Sequence, residues 1–301
     1  MKSGVAAAVA GLLRVLCAPT LAVAVWLPLA VRADEPFEPA RLEREVLVAA
    51  CTDPMQLEVL ADGSLLFIER GGAVRWWDAA AGETHTLGHV PVAVHGEVGL
   101  LGLATDLHFA ENAWIYLFFC PQEQPESMRL ARFTLARDAE TGRLASLDPT
   151  SAETLLTYPI DARAAIHMGG GLARDAAGLL YLGTGDNCPP IPELPVDQRP
   201  GQSLADAFST SANSADLRGK ILRIRPEADG GFTIPEGNLF PGGQGGRPEI
   251  FCMGCRNPFR LSVDDATGEV WWGDVGPNIQ PELGIGPNGG CFSTTGPATG
   301  S

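Results

Sequence analysis

This chain contains very little lysine, and its acidic residues outnumber its basic ones. Lys2 and Lys220 are the only lysines in 301 residues, and Lys plus Arg number 21 against 36 Asp plus Glu, a formal charge of −15. A protein that neutralises nucleic-acid phosphates needs a cationic stripe, which this composition does not offer. No GK[ST] phosphate loop is present either. We therefore expect no nucleic-acid partner and no P-loop nucleotide chemistry.

Long helical stripes and the common hydrolase motifs are also missing. The chain has no GxSxG nucleophile elbow and no HExxH metal motif, and no carboxylate pair stands out among its 36 acidic residues. After Ala33, no segment keeps a helical period of apolar residues for twelve positions; short apolar runs that follow turns recur instead. These absences argue against a hydrolase and predict a mostly β fold.

The N-terminus has the pattern of an export signal. Lys2 is followed by an apolar stretch over residues 5–31, interrupted only by Arg14, and then by Arg32 and Ala33 ahead of acidic residues. This pattern predicts a signal peptide over residues 1–33, which leaves a mature chain of 34–301. The alternative is an uncleaved membrane anchor, because the stretch is long enough to span a bilayer. Either interpretation places the body in the periplasm or outside the cell, with membrane attachment only if the segment stays.

Six cysteines remain after the predicted signal, and an oxidising compartment would allow some of them to pair. Sequence alone does not choose the connectivity. Cys252 and Cys255 form a single CxxC with no second pair at zinc-ribbon spacing. We therefore expect packed thiols or a structural disulfide there rather than a metal or redox site. The six are Cys51, Cys120, Cys188, Cys252, Cys255 and Cys291.

A tight turn that opens an apolar strand recurs four times, at residues 62–69, 112–118, 177–183 and 267–273. Repeats of roughly 40 to 50 residues, each a small antiparallel sheet, are typical of β-propellers. The mature chain has room for about four such units. The strand signal fades after Pro277, and the end is rich in Gly, Thr and Pro. The sequence thus predicts an all-β propeller of about four blades that is truncated at its C-terminus.

Four groups of residues together resemble the glucose/sorbosone dehydrogenase family. These are six-bladed propellers that include soluble quinoprotein sugar dehydrogenases using pyrroloquinoline quinone (PQQ). The resemblance covers residues 54–282 and stops before the family's last blades. The groups are residues 97–104, residues 167–172 with 183–187, residues 217–224, and residues 254–258 with 273–278.

The resemblance implies that His167 is the general base, taking the proton from the sugar's anomeric hydroxyl while hydride passes to the quinone. An imidazole suits this role because its charge changes near neutral pH. The alternative is a loop histidine that satisfies backbone carbonyls. Glycines at 169–171 are expected to let a flat ligand approach the backbone. Four further histidines are interpreted as surface or loop residues: His85, His89, His95 and His108.

Arg256 and Asn257 match the family's cofactor-facing pair, which implies a guanidinium that stabilises charge on the quinone and an amide that bonds its ring edge. The alternative is a structural arginine and a turn-forming asparagine before Pro258. Gly276 and Pro277 match positions whose backbone carbonyls hold calcium, a cation that prefers oxygen ligands. A simple strand-ending turn would use the same two residues. Nearby oxygen donors are Asp274, Asn278 and Glu282.

Two departures from the family pattern concern the substrate and the cofactor. Glu97 stands where the soluble glucose enzymes carry a glutamine that touches the sugar, and Ile166 stands where they carry an acid, so an altered substrate is expected. The basic residues that bind the quinone carboxylates come from blades beyond residue 301. Lys220 does not replace them, since its context reads as the start of a strand.

Two functions from different classes remain open. The first is an exported PQQ- and calcium-dependent sugar dehydrogenase acting on an aldose or sorbosone-type substrate, or the N-terminal part of one, with an unspecified electron acceptor. The second is a non-catalytic recognition module that binds a carbohydrate or protein partner, as in hedgehog-interacting proteins that share this propeller type. A fold does not by itself choose between them. The residue matches favour the enzyme.

Overall fold

The computed structural model describes residues 43–189 and 207–276, together with the strands at 282–286 and 292–294. The predicted signal peptide and Pro277 lie outside the described residues. The described residues from Val46 onward belong to one compact unit. None of the helices in the described ranges combines the length and apolar character that a membrane span requires.

The described strands form four antiparallel sheets, each in chain order. In the second sheet, β9 extends the order beyond β7, and β8 pairs with the far end of β7. The strands of the first two sheets are β1 (Pro54–Val59), β2 (Leu65–Glu69), β3 (Ala73–Asp78), β4 (Glu83–His89), β5 (Leu100–Thr105), β6 (Trp114–Phe119), β7 (Ser127–Arg137), β8 (Leu144–Leu147) and β9 (Glu153–Pro159).

The third sheet repeats the arrangement of the second, whereas the fourth, like the first, has four strands in chain order. In the third sheet, β14 extends the order beyond β12, and the short β13 pairs with the far end of β12. Their strands are β10 (Gly169–Arg174), β11 (Leu180–Thr184), β12 (Lys220–Pro226), β13 (Phe232–Thr233), β14 (Ile250–Met253), β15 (Pro258–Asp264), β16 (Glu269–Asp274), β17 (Glu282–Gly286) and β18 (Phe292–Thr294). One helical turn, α1 (Phe109–Asn112), precedes β6. Single 3-10 turns lie at Pro149–Ser151, Ala162–Ala164, Ala207–Ser209 and Pro241–Gly243.

The four repeated turn-and-strand units each contain the second strand of one sheet, namely β2, β6, β11 and β16. The first strands of consecutive sheets pack against each other, β1 on β5, β5 on β10 and β10 on β15. Sheets whose first strands meet in this way surround a common axis. The predicted all-β propeller with four blades is therefore confirmed.

Apolar cores fill the spaces between consecutive blades, and β6 shows why its sequence is continuously apolar. Ile115 and Leu117 belong to the core shared with the first sheet, whereas Tyr116 and Phe118 belong to the core shared with the third. Because successive strand residues point to opposite faces, a strand buried on both faces cannot alternate with polar residues. A third core, which includes Trp272, joins the last two sheets.

Side chains at the axis satisfy the backbone groups that the first strands leave unpaired. Gln56 on β1 donates from Nε2 to the carbonyl of Leu172 (2.6 Å), and its Oε1 accepts the N–H groups of Leu103 (3.3 Å) and Leu172 (3.4 Å). Arg260 on β15 donates from Nη2 to the carbonyl of Met55 (2.6 Å). Long polar side chains thus join the inner strands of all four blades.

The glycine run at 169–171 lies where the inner strands of neighbouring blades come close together. A Cβ on Gly170 would lie 2.6 Å from the Cβ of Leu101 on β5, and a Cβ on Gly171 would lie 2.9 Å from the Cα of Arg260 on β15. Real Cβ atoms do not approach other atoms this closely. The run therefore lets the inner strands of three neighbouring blades meet, and the close neighbours are protein atoms.

Strand structure continues beyond Pro277, although the strand signal of the sequence fades there. The backbones of β17 and β18 complete the fourth sheet, with β17 paired to β16 and β18 paired to β17. A Gly- and Thr-rich sequence carries a weak strand signal, because strand formation depends on pairing with a neighbour more than on local preference. Here β16 provides a regular edge on which these strands add.

Glu58 makes the stability of the fold depend on pH. It lies two residues after Gln56 on β1, and burial raises the pKa of its carboxyl from 4.5 to about 7, with Arg174 acting in the opposite direction. Between these two values the folded chain holds a proton that the unfolded chain has lost. The contribution of Glu58 to stability is therefore present at low pH and is lost as pH rises to about 7.

We expect Glu58→Gln to remove the loss of stability that occurs as pH rises, because an amide stays neutral at every pH. The melting temperature of the variant should match the wild type at pH 4 and exceed it at pH 8, and scanning calorimetry at both values measures the difference. Glu83→Gln, at an exposed position of β4, is the control. A constant difference between variant and wild type across this range would contradict the assignment.

Candidate functional site

His167 lies in the connection that enters β10, next to the end of β11. Its side chain is buried, and its Nδ1 lies 2.8 Å from Oδ1 of Asp186, two residues beyond β11. The same Oδ1 accepts the backbone N–H of Cys188 at 2.8 Å, which fixes the orientation of the carboxylate. Two segments that are 19 residues apart in sequence thus form a buried imidazole–carboxylate pair.

The backbone is strained at His167 itself and at Asn187, the residue after Asp186. His167 and Asn187 both have positive φ angles, 53° and 56°, in the left-handed region that residues with a Cβ rarely occupy. The side chain of Asn187 secures the connection before His167: its Oδ1 accepts the N–H of Asp161 at 2.6 Å, and its Nδ2 donates to the carbonyl of Ala164. Strain of this kind persists only where surrounding contacts impose it, and it clusters at functional sites.

The contact with Asp186 determines what His167 can do chemically. A carboxylate accepts hydrogen bonds, so Nδ1 carries the proton and donates it to Asp186. The other ring nitrogen, Nε2, makes no hydrogen bond to any residue in the described ranges. The imidazole is therefore held in the tautomer that leaves Nε2 ready to accept a proton.

Asn257 joins the fourth blade to the same site. Its Oδ1 accepts the N–H of Gly169 at 2.8 Å, two residues after His167. Its own N–H donates to Oδ1 of Asp274 at 2.5 Å, and the N–H of Arg256 donates to Oδ2 of Asp274 at 3.0 Å. The carboxylate of Asp274, at the end of β16, thus holds the backbone of both residues of the Arg-Asn pair.

Arg256 takes part in these structural contacts as well. Its carbonyl accepts the N–H of Asp186 at 2.7 Å, and its guanidinium donates from Nη1 to the carbonyl of Val275. Asn257 accepts the N–H of Val275 at 3.1 Å. Arg256 and Asn257 therefore make the structural contacts that were the alternative interpretation of the sequence. The backbone hydrogen bond from Asp186 to Arg256 also joins them to the His167–Asp186 pair.

Glu97 reaches the site from the connection between the first and second sheets. Its N–H donates to the carbonyl of Ala165 at 2.8 Å, and its Oε2 accepts the N–H of Met168 at 3.4 Å. Glu97 therefore contacts both sides of His167 along the chain. These two contacts place Glu97 beside the backbone segment that carries His167.

The candidate calcium position is only partly within the described chain. Gly276 is buried two residues after Asp274, and Pro277 lies outside the described residues. No group of three or more His, Cys, Asp or Glu side chains in the described ranges is arranged to hold a metal ion. A site built from backbone carbonyls, as expected here, would not depend on such a group.

The remaining predictions concern the cysteines and the four other histidines. Cys252 is disulfide-bonded, so the CxxC segment contributes a structural disulfide. Cys255 is buried. The four other histidines are exposed, two on β4, one in the loop before Glu97 and one before α1.

Sequence reasoning missed the role of Asp186 and mentioned Asp274 only as a nearby oxygen donor. Both lie at the C-terminal end of the second strand of a blade: Asp186 is two residues after β11, and Asp274 is the last residue of β16. Second strands were the repeated unit that could be read from the sequence. An acidic residue at the same end of two successive repeats was the available signal.

The chain is similar in sequence and in structure to known sugar dehydrogenases. Aldose sugar dehydrogenase YliI of Escherichia coli (strain K12) is 28% identical over 255 residues, which cover 83% of this chain and 61% of that protein. The structure of the PQQ-bound form of aldose sugar dehydrogenase from Streptomyces coelicolor has a TM-score of 0.61 at 26% identity, covering 79% of this chain and 61% of that chain.

A third relative, the HIPL2 protein of Arabidopsis thaliana, is 31% identical over 137 residues, which cover 41% of this chain and 18% of that protein. This chain thus spans 61% of the length of each of the two sugar dehydrogenases. The family model described as Glucose / Sorbosone dehydrogenase matches residues 51–292. Since that match covers most of the chain, this protein belongs to the glucose/sorbosone dehydrogenase family.

Proposed function

We propose that this chain provides the proton-accepting side of an exported, PQQ-dependent sugar dehydrogenase, acting alone or as part of a longer protein. The observation that carries the proposal is the buried His167–Asp186 pair, which Gly169 and Asn257 join to the fourth blade. The similarity to two aldose sugar dehydrogenases supports an aldose as substrate. Glu97 next to the pair is the candidate sugar contact.

The side chains present are suited to the polar edge of a quinone. Besides Nε2 of His167, Nδ2 of Asn257 makes no hydrogen bond to any described residue, so an amide donor remains beside the base. The guanidinium of Arg256 adds positive charge within the same loop. We propose that these three groups face the quinone and that the carbonyl oxygens of Gly276 and Pro277 bind calcium, which prefers oxygen ligands.

The proposed reaction is a two-electron oxidation of the sugar. The sugar loses a proton from its anomeric hydroxyl and a hydride from the carbon that bears it, so the product is a lactone. PQQ, when bound, supplies the two-electron acceptor for the hydride. His167 accepts the hydroxyl proton at Nε2, and Asp186 stabilises the imidazolium that results. The guanidinium of Arg256 would stabilise negative charge on the quinone.

Export is supported by the cysteine chemistry in addition to the N-terminal signal pattern. Cys252 is disulfide-bonded, and structural disulfides persist mainly in oxidising compartments such as the periplasm or the extracellular space. We therefore propose a periplasmic or secreted location.

Calorimetric titration of the purified protein with PQQ, with and without calcium, tests the proposal. We expect calcium-dependent binding that Arg256→Ala weakens and that His167→Ala leaves largely intact. Arg225→Ala, at the far end of β12 where Nη1 donates to the carbonyl of Ala177, is the matched control. Reduction of a redox dye with a panel of aldoses and polyols then identifies the substrate. A folded protein that binds no quinone would overturn the proposal.

The alternative, a non-catalytic recognition module, is favoured by one observation. The only lysine in the body of the chain, Lys220, is buried and directs its ammonium to backbone carbonyls. It is therefore not available to pair with a quinone carboxylate. Binding of a carbohydrate by a protein that binds no quinone would support this second function.

A further inference from the structure

Lys220 carries a fully buried ammonium group at the first position of β12. Its Nζ donates to the carbonyl oxygens of Thr210 (2.7 Å), Ser211 (3.0 Å) and Arg218 (2.7 Å). All three acceptors belong to the segment 207–219 that leads into β12. An ammonium group has three N–H donors, so this carbonyl cage satisfies every one of them.

The cage lies directly against the loop that carries Arg256 and Asn257. The carbonyl of Ser211, one of the three cage oxygens, also accepts the N–H of Gly254 at 3.1 Å. The carbonyl of Gly219 accepts the N–H of Cys255 at 3.1 Å. Two consecutive residues before the Arg-Asn pair are thus held by the segment that Lys220 organises.

The same segment holds the loop of Asp186 on its other side. The N–H of Gly219 donates to the carbonyl of Gly185 at 2.9 Å, immediately before Asp186. Thr184, at the end of β11, donates from Oγ1 to the carbonyl of Leu217 at 2.5 Å. Segment 207–219 therefore stands between the two loops from which the candidate site is built.

A buried charge is costly unless it is fully hydrogen-bonded. Burial lowers the pKa of the Lys220 amine from 10.5 to about 8, while the carboxylate of Asp216 acts in the opposite direction. Removing the ammonium would leave three carbonyls without their shared partner. An irregular segment whose carbonyls converge on one cation depends on that cation for its shape.

We propose that Lys220 is a positioning residue: its ammonium acts as a built-in cation that folds segment 207–219 against the Asp186 and Arg256–Asn257 loops, and a small free alkylammonium can take its place. The proposal rests on the proposed function only in that those loops form the site. The geometry of the cage itself does not depend on which ligand the site binds.

The test is chemical complementation of Lys220→Ala. This change removes three methylenes and the ammonium, a void that matches propylammonium. We expect the variant to melt roughly 10 °C below the wild type, as a protein of this size does when a buried charge contact is lost. Hydrogen exchange of segment 207–219 should accelerate. Propylammonium should restore both properties saturably, more effectively than methylammonium, whereas neutral propanol should not.

Lys220→Met is the matched control, because its side chain fills the void without a donor. It should show the same losses and no recovery with propylammonium. If Lys220→Ala does not fold, Lys220→Arg and Lys220→Met replace it, and we expect native-like exchange of the segment in the arginine variant alone. Equal behaviour of these two variants, or recovery with propanol, would overturn the proposal.

Quinone binding provides a separate readout. Where the wild type binds PQQ, Lys220→Ala should bind it more weakly and propylammonium should restore the affinity, although the three N–H donors of Lys220 are all bonded to backbone carbonyls. If the wild type binds no quinone, melting temperature and exchange still decide the role of Lys220. Failure of the proposed function and failure of this inference therefore give different results.

Discussion

Replacing His167 by Gln is expected to lower sugar-dependent dye reduction by roughly 10²- to 10⁴-fold, the usual contribution of a positioned general base. Glutamine keeps the size and hydrogen-bonding capacity of the side chain but cannot take up a proton. Quinone affinity should change little, because the lost group acts on the substrate proton. Steady-state rates with a saturating aldose, combined with calorimetric titration, separate the two effects.

Asp186→Asn should reproduce part of this loss. An amide in place of the carboxylate can donate to Nδ1, which would move the ring proton to Nε2 and remove the acceptor that the substrate hydroxyl requires. His108→Gln, at an exposed position outside the site, is the control. Wild-type rates in His167→Gln would show that the base lies elsewhere.

Asp274→Ala is expected to destabilise the protein strongly and to weaken quinone binding. The change leaves the buried N–H of Asn257 and the N–H of Arg256 without an acceptor, at about 1–3 kcal/mol for each. For a domain of this size the melting temperature should fall by roughly 5–20 °C. Thermal unfolding measured by circular dichroism tests the first effect, and calorimetric titration with PQQ and calcium tests the second.

Asp274→Asn should be intermediate, because an amide keeps only one accepting oxygen. Asp264→Ala is the matched control: Asp264 ends β15, and its Oδ1 accepts the N–H of Ala266 in an exposed hairpin turn at 2.8 Å. If Asp274→Ala melted at the same temperature as Asp264→Ala, the carboxylate would not support the Arg-Asn pair.

Several features of the fold could be read directly from the sequence. The second strands of all four blades appear as a turn followed by an apolar run, because each places apolar side chains in the cores between the blades. Lys220 was correctly interpreted as the start of a strand. These features are local: turn chemistry and apolar runs are properties of a few consecutive residues.

The end of the fourth blade and the glycine run illustrate what local patterns cannot report. The strands β17 and β18 depend on pairing with β16. Glycine at 170 and 171 is required by the neighbouring strands β5 and β15, whose approach no local pattern indicates. A local sequence pattern can indicate that a residue is buried or lies in a turn, but it does not identify which distant strand packs against that residue.

By itself, the sequence determined the all-β repeat and the positions of His167, Arg256 and Asn257 along the chain. Only the tertiary structure decided their partners. Asp186 meets His167 from 19 residues away, and Asn257 meets Gly169 from 88 residues away. The apolar pattern of a strand depends on which of its residues face a core, and this can be read from a few consecutive residues. A hydrogen bond between distant segments depends on how the blades are arranged around their axis, and that arrangement exists only in the folded chain.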